Sequence, residues 1–464
     1  MEKYHNLDTA ALQNMDNQVV HPWENFEKAG KNKRTAISKA EGVYLYDSDG
    51  KKLIDAPAGM WCVNIGYGRE EMARAMYDQS MEMPYCSPWS FANSPASSLA
   101  ERLAERSPGD LNHVMFTAGG SESVDTALRF VMFFNNYLGR PKKKHIISRE
   151  KAYHGSTYLS ASASGKERDK NYLDFERGFI HHIPAPNPYR RPEGMSVEAF
   201  CDEKIADLEN KILELGPDKV AAFIAEPVLA SGGVIVPPPG YHQRCLEVCR
   251  RHDVLYISDE VVTGFGRLGH LFASEDVFGI VPDIITSAKG ITSGYVPLGA
   301  VLISDRLLEQ ISGDDAEGSV FSHGFTYSGH PVPCAVAHKN LDIIEEEKIL
   351  EHAREVGPYF QERLRELQDI PIVGDVRGVG LMACVECVIS QGSKDPLLLD
   401  YEIGNRIDKH CQELGLIVRP SINMCVLSPP LIITKPQIDE MVNILRTGIE
   451  RAMEDVRAAG LWTQ

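Results

Sequence analysis

Between residues 113 and 304, short apolar runs alternate with longer stretches of helical spacing, a pattern that few folds accept. The runs are HVMF (113–116), KHIIS (144–148), VAAFIA (220–225), VLYIS (254–258), DIITSA (283–288) and GAVLIS (299–304). Several are continuously apolar rather than alternating, as expected of strands buried on both faces. SESVDTALRFVMFFNNYLG carries apolar residues at helical spacing and closes on Gly139. PPPGYHQRCLEVCRRHD opens on proline and glycine and sets Leu246, Val248 and Cys249 on one side. Strand-sized and helix-sized segments in this order predict an α/β fold, a largely parallel sheet covered by helices.

The two ends read differently. Residues 34–60 suggest a short meander, turning at Asp47-Ser48-Asp49-Gly50 between GVYLY and KKLIDA. From about residue 335 onward helices and strand pieces mix, among them VRGVGLMACVECV, LIVRP and CVLSPPLIIT. With 464 residues the chain is long enough for more than one domain. The expected division is a large α/β domain over residues 61–335 and a smaller α+β domain built from 1–60 and 336–464.

Charge and composition narrow the function. Lys plus Arg number 48 against 65 Asp plus Glu, a formal net charge of −17, and no basic stripe reverses it locally. Such a chain repels phosphate backbones, so nucleic acid is not an expected partner. No leader pattern and no long uncharged apolar run occurs, which predicts a cytoplasmic protein without a membrane span. The 10 cysteines show no framework spacing, which fits a reducing compartment. Cys384 and Cys387 form a CxxC, but within an apparent strand, where positions three apart face opposite sides. Gly264-Phe265-Gly266-Arg267-Leu268-Gly269 satisfies GxGxxG, yet follows DEVVT rather than a strand and opens no convincing helix, so a dinucleotide site is not expected. His181-His182 and the other histidines lack metal-ligand spacing, and Lys142–Lys144 reads as a solvated loop.

Three features fall at the ends of predicted strands, where open α/β sheets place ligands. After HVMF comes Thr117-Ala118-Gly119-Gly120-Ser121, entering a helix; its glycines and free amides suit an anion, and a plain N-cap by Ser121 is the alternative. Asp259 ends VLYISD, where a buried carboxylate needs a donor, either a protonated ring nitrogen or a neighbouring arginine. Lys289 follows DIITSA beside small residues; desolvation there lowers a lysine's pKa and supplies the neutral amine that a Schiff base requires. An anion cup, an acid for a ring nitrogen and an amine for a carbonyl together match the needs of pyridoxal phosphate.

ISDEVVTGFGRLG followed by DIITSAKGITSGYVPLG resembles the signature of the class III, or omega, aminotransferases, fold type I enzymes that use pyridoxal 5'-phosphate. GVYLYDSDGKKLIDAPAGMWCVNIGYGR, HVMFTAGGSESVDTALR, ISREKAYHGST, VAAFIAEPV, SHGFTYSGHPV, VRGVGLM and LIVRPSINMCVLSPPLIIT are similar to further family blocks in the same order. Within the family the likeness is to the amine:pyruvate and diamine transaminase branch.

The resemblance implies that Lys289 carries the cofactor as a Schiff base and then moves the substrate proton, while Asp259 pairs the ring nitrogen. It implies that Gly120 and Ser121 hold the phosphate, that Tyr153 and Val261 cover the two ring faces, and that Glu226 sits near the ring's polar edge. Thr326 is expected to reach the phosphate of a neighbouring subunit's cofactor, which makes a homodimer, or a dimer of dimers, part of the site. Trp61 and Trp89 match aromatic pocket walls, and Arg419 matches a mobile arginine for the acid's carboxylate. Departures from the family pattern are Pro420, the Ser421-Ile422-Asn423-Met424 loop and Leu229-Ala230-Ser231. The implied activity is ping-pong transfer of an amino group from a primary amine or omega-amino acid to a keto acid such as pyruvate, with S stereopreference. A racemase or aminomutase on the same cofactor, and a non-catalytic cofactor-binding regulator, are the competing readings. Putrescine and other diamines, taurine, beta-alanine and arylalkylamines are all open as donors.

Overall fold

A computed structural model describes residues 8–27, 29–31, 33–313, 319–390 and 402–462. Its centre is a seven-stranded sheet of β1 (His113–Thr117), β2 (His145–Arg149), β3 (Ile180–Ile183), β4 (Val220–Ala225), β5 (Leu255–Asp259), β6 (Ile284–Ser287) and β7 (Gly299–Ile303). The spatial order is β1-β7-β6-β5-β4-β2-β3. All six expected strands form. β3 was not foreseen, because IHHI places two histidines where an apolar run would have marked it. The sheet is also less parallel than its pattern suggests, since β7 runs antiparallel to both β1 and β6.

Successive strand residues go to opposite faces. Ile146, Ile224 and Ile257 join the helix Gly120–Tyr137 in one cluster, while Ile147, Phe223 and Tyr256 join the helices Val197–Leu215 and Tyr241–Arg251 in another. This double burial is why the strands read as continuous apolar runs. The buried stripe of Tyr241–Arg251 is Tyr241, His242, Cys245, Val248 and Cys249, with Leu246 only partly covered.

Tyr44–Asp47 and Lys52–Asp55 pair as the expected meander. Asp47 closes their turn by accepting from the amides of Asp49 (3.0 Å) and Lys51 (2.8 Å). Leu416–Ile417 then pairs in parallel with Ile54 and Asp55, so late chain completes a sheet begun by early chain. A second four-stranded sheet runs Val373–Val379, Met382–Cys387, Met424–Leu427, Arg419–Ser421, with the last at its edge. Cys384 and Cys387 lie on opposite faces of it, in different core clusters, as unpaired thiols. The GxGxxG glycines make a tight loop in which the Phe265 amide bonds Leu271 and the Gly266 amide bonds His270; the nearest helix after it, Ala273–Asp276, is only four residues long. No described helix is long and apolar enough to cross a membrane.

Candidate active site

The carboxyl ends of β1, β5 and β6 open on one cavity of about 1010 Å3. Beyond β1, the helix Gly120–Tyr137 starts from Gly119 with no side-chain cap, so its first amides are free to meet a ligand. The Ala118 amide is taken by the Glu122 carboxylate (2.8 Å), and the Ser121 hydroxyl accepts from the Ser156 amide (3.0 Å). A Cβ at Gly120 would stand 2.9 Å from Val261 Cγ1, so this turn closes over Val261 only with glycine. Gly299 solves a similar problem next door, where a Cβ would strike Thr117 Oγ1 at 2.3 Å.

Asp259, the last residue of β5, is buried and amply supplied with donors. Its Oδ2 lies 2.6 Å from His154 Nδ1, and its Oδ1 accepts from Thr286 Oγ1 (3.1 Å) and from the Val261 amide (3.2 Å). His154 in turn meets Ser148 Oγ at 3.1 Å, so its ring is fixed at both nitrogens. Of the two partners foreseen for Asp259, arginine is absent and a histidine takes the structural place. That histidine escaped the sequence reading, although it stands beside Tyr153 in AYHG.

Lys289 begins a single tight turn, Lys289–Ile291, in the left-handed region with φ 47°. Its Nζ has no hydrogen-bond or ion-pair partner among the described residues. Burial pushes its pKa down, opposed by the negative charges of Asp259 and Glu226. The lowered pKa is the condition for a nucleophilic amine.

Glu226 is buried and bridges two loops, accepting from the amides of Tyr153 (3.0 Å) and Ala230 (3.0 Å), and burial raises its pKa. Tyr153 thereby has its backbone held, while its hydroxyl meets Ser156 Oγ at 2.9 Å. Leu229 and Ala230 are fully buried, and only Ser231 of that departure reaches the cavity. Arg419 lies on the edge strand Arg419–Ser421, with its guanidinium 5.8 Å from the Trp61 ring centre and against the sulfur of Met60. It has no carboxylate partner among the described residues, and burial lowers its pKa. Pro420 needs no donor on an edge strand, and Ile422 with Asn423 forms a two-residue turn held by Asn423 Nδ2 to Cys387 O (2.7 Å).

The cavity therefore gathers Trp61, Gly120, Ser121, Tyr153, Glu226, Asp259, Val261, Lys289 and Arg419. Trp89 and Thr326 are not among them. Trp89 is 68% exposed, and the Thr326 carbonyl accepts from Tyr85 Oη (2.9 Å) on the same outer surface. Residues that the sequence did not bring forward also line the cavity, notably Trp23, whose ring centre is 5.9 Å from that of Tyr153, and Lys166.

An uncapped helix start with a hydroxyl, a glycine that admits a close neighbour, a donor-rich carboxylate and an unpartnered lysine fit pyridoxal phosphate. The sequence profile of the class III aminotransferases matches residues 26–449. The chain belongs to the class III aminotransferase family. It is a pyridoxal-phosphate-dependent transaminase of the fold type I architecture. A putrescine–pyruvate aminotransferase of Pseudomonas aeruginosa is 42% identical, covering 94% of this chain and 95% of its own. Gamma-aminobutyrate transaminase 1 of Oryza sativa subsp. indica is 39% identical over 90% of this chain and 82% of its own. Among solved structures, an (S)-enantioselective omega-transaminase from Thermomicrobium roseum superposes with a TM-score of 0.91 at 39% identity, covering 97% of this chain and 99% of that one. An omega transaminase of Pseudomonas jessenii in complex with PMP matches with a TM-score of 0.91 at 38% identity, covering 97% and 99%.

Proposed function

We propose that this enzyme moves an amino group from a primary amine or omega-amino acid to pyruvate in two half reactions at the cavity around Lys289. The observation that carries the reading is Lys289 itself, an amine with no partner among the described residues, of lowered pKa and lining the cavity just beyond the end of β6. Gly120 and Ser121 would hold the phosphate with backbone amides and a hydroxyl. Tyr153 and Val261 would flank the ring, and Glu226 fixes the backbone of Tyr153. Bound pyridoxal phosphate supplies an electron-withdrawing ring that stabilises negative charge at the donor carbon. Asp259 keeps the ring nitrogen protonated, and His154 orients that carboxylate. Lys289 would hold the cofactor through its carbonyl carbon, and its Nζ would be the group that takes up and gives back the proton moved during the transfer. Arg419 pairs the carboxylate of the keto acid through its two-pronged guanidinium, with Trp61 beneath it.

A homodimer belongs to the same proposal. Tyr85, Trp89 and Tyr327 are large, exposed and near Thr326, a surface suited to cover by a second copy. Trp89 and Thr326 would then serve the neighbouring cavity rather than their own. The division into residues 61–335 and the joined ends 1–60 and 336–464 is supported by the pairing of Leu416 with Ile54. Ten unpaired cysteines suit a cytoplasmic setting.

The test is product analysis with amine donors and pyruvate. Alanine should form in step with the aldehyde or ketone of the donor. Turnover of an amino acid without any keto acid would replace this reading with racemisation or mutation of the amino position.

A further inference from the structure

Apart from Lys289, the cavity holds a second lysine, Lys166, whose setting is unlike that of a surface charge. Gly165 before it is locked by two backbone bonds, from the Lys151 amide to the Gly165 carbonyl and from the Gly165 amide to the Ala152 carbonyl (both 2.9 Å). A Cβ at Gly165 would stand 2.0 Å from the Arg149 carbonyl, so only glycine lets the chain approach so closely. This close approach turns Lys166 inward. Its Nζ hydrogen bonds Ser231 Oγ and lies 5.7 Å from the centre of the Tyr153 ring.

The ammonium has no carboxylate within ion-pair distance among the described residues. The nearby acids are engaged elsewhere: Glu226 accepts two backbone amides, and Asp169 meets Arg168 Nε at 3.1 Å. Arg419 is similarly unpaired, but rests on Trp61, another wall. A half-buried cation without an anion carries a desolvation cost, and two in one cavity carry more, unless a ligand brings the negative charge. The small carboxylate of pyruvate or alanine needs only one of them.

We propose that Lys166 is a specificity residue that binds the far carboxylate of an omega-amino acid donor, at a point separate from Arg419, and so disfavours donors ending in a second ammonium. This rests on the aminotransferase reading above and adds a substrate class to it. Ser231, one of the departures from the family pattern, anchors the amine that does the selecting.

The experiment compares kcat/KM for three donors of equal length, gamma-aminobutyrate, butylamine and putrescine, in the holoenzyme and in Lys166→Met and Lys166→Arg. In the natural enzyme gamma-aminobutyrate should lead. Lys166→Met should lower the gamma-aminobutyrate to butylamine ratio by roughly tenfold and raise the putrescine to butylamine ratio, because a charge-assisted contact becomes a methyl. Lys166→Arg should restore most of the first ratio. Ser231→Ala, which leaves the cation in place but loosens it, should lower that ratio by about two- to threefold. Ratios that do not move, a collapse in Lys166→Arg equal to that in Lys166→Met, or a natural enzyme that ignores gamma-aminobutyrate would each overturn the proposal. The alanine half reaction of the natural enzyme separates the two levels. If alanine reacts and the ratios stay still, only the role of Lys166 falls; if neither alanine nor any amine reacts, the aminotransferase reading falls with it.

Discussion

The cavity is built in two ways. On the strand-end side, Asp259 accepts three hydrogen bonds, Glu226 two backbone amides and His154 is fixed at both nitrogens. On the other side, Lys166 leans on one hydroxyl, Arg419 on a ring and a sulfur, and Trp23 stands 65% exposed against Tyr153. In the proposed reaction the first side would hold a cofactor atom in place through every cycle, and preorganised donors do so without reorganisation. The second must admit two chemically different substrates in turn, and long side chains with few partners can adjust. The difference separates how the reaction is run from what it is run on.

Five changes test that contrast. Lys289→Ala should retain pyridoxal phosphate non-covalently yet lose turnover by about ten-thousandfold or more, as expected when nucleophile and base are removed together; stopped assays against dialysed holoenzyme check this. Asp259→Asn should cost roughly a hundred- to a thousandfold in kcat with little change in KM for any donor, which would place its effect in the chemical step. Arg419→Ala should raise KM for pyruvate by about ten- to a hundredfold while sparing kcat with butylamine, measured by varying each substrate at saturation of the other. Gly120→Ala should weaken cofactor affinity by roughly tenfold, because its Cβ meets Val261 at 2.9 Å, and Val261→Ala added to it should recover much of the loss.

The smallest effect concerns stability. Burial lowers the pKa of Lys166 from the ordinary 10.5 to about 8, helped by the charges of Arg168 and Arg419 and opposed by those of Asp169 and Glu226. Between those two values the unfolded chain binds the extra proton, so this group makes the apoenzyme more stable as pH rises from about 8 towards 10.5. Denaturant midpoints of the natural apoenzyme should therefore gain on those of Lys166→Met across that window. Parallel curves would show an amine as solvated as any other.

What could be read from the sequence follows the same boundary. Gly120, Ser121, Asp259 and Lys289 sit directly after apolar runs, so local pattern placed them at strand ends, and the three ends share one edge of the sheet. Lys166 gave no such signal: SGKERDK looks like a solvated charge run, and only the approach of Gly165 to the Arg149 carbonyl turns its side chain inward. His154 was hidden because its partner lies 105 residues away. β3 was hidden because its central histidines obscure an edge strand, where His181 meets His145 at 2.7 Å. Trp89, expected as a pocket wall, and Thr326, expected to reach a neighbouring subunit's cofactor, rest on resemblance alone; both lie on the outer surface of the single chain, where local pattern has no bearing on what a second copy would cover.

Amino-group transfer at Lys289 is best tested by following the visible absorbance of the holoenzyme while a primary amine is added without keto acid, and then adding pyruvate. Transamination predicts that the yellow colour is lost with the amine and returns with pyruvate as alanine forms. A colour that survives every amine, or a protein that takes up no pyridoxal phosphate, would contradict it.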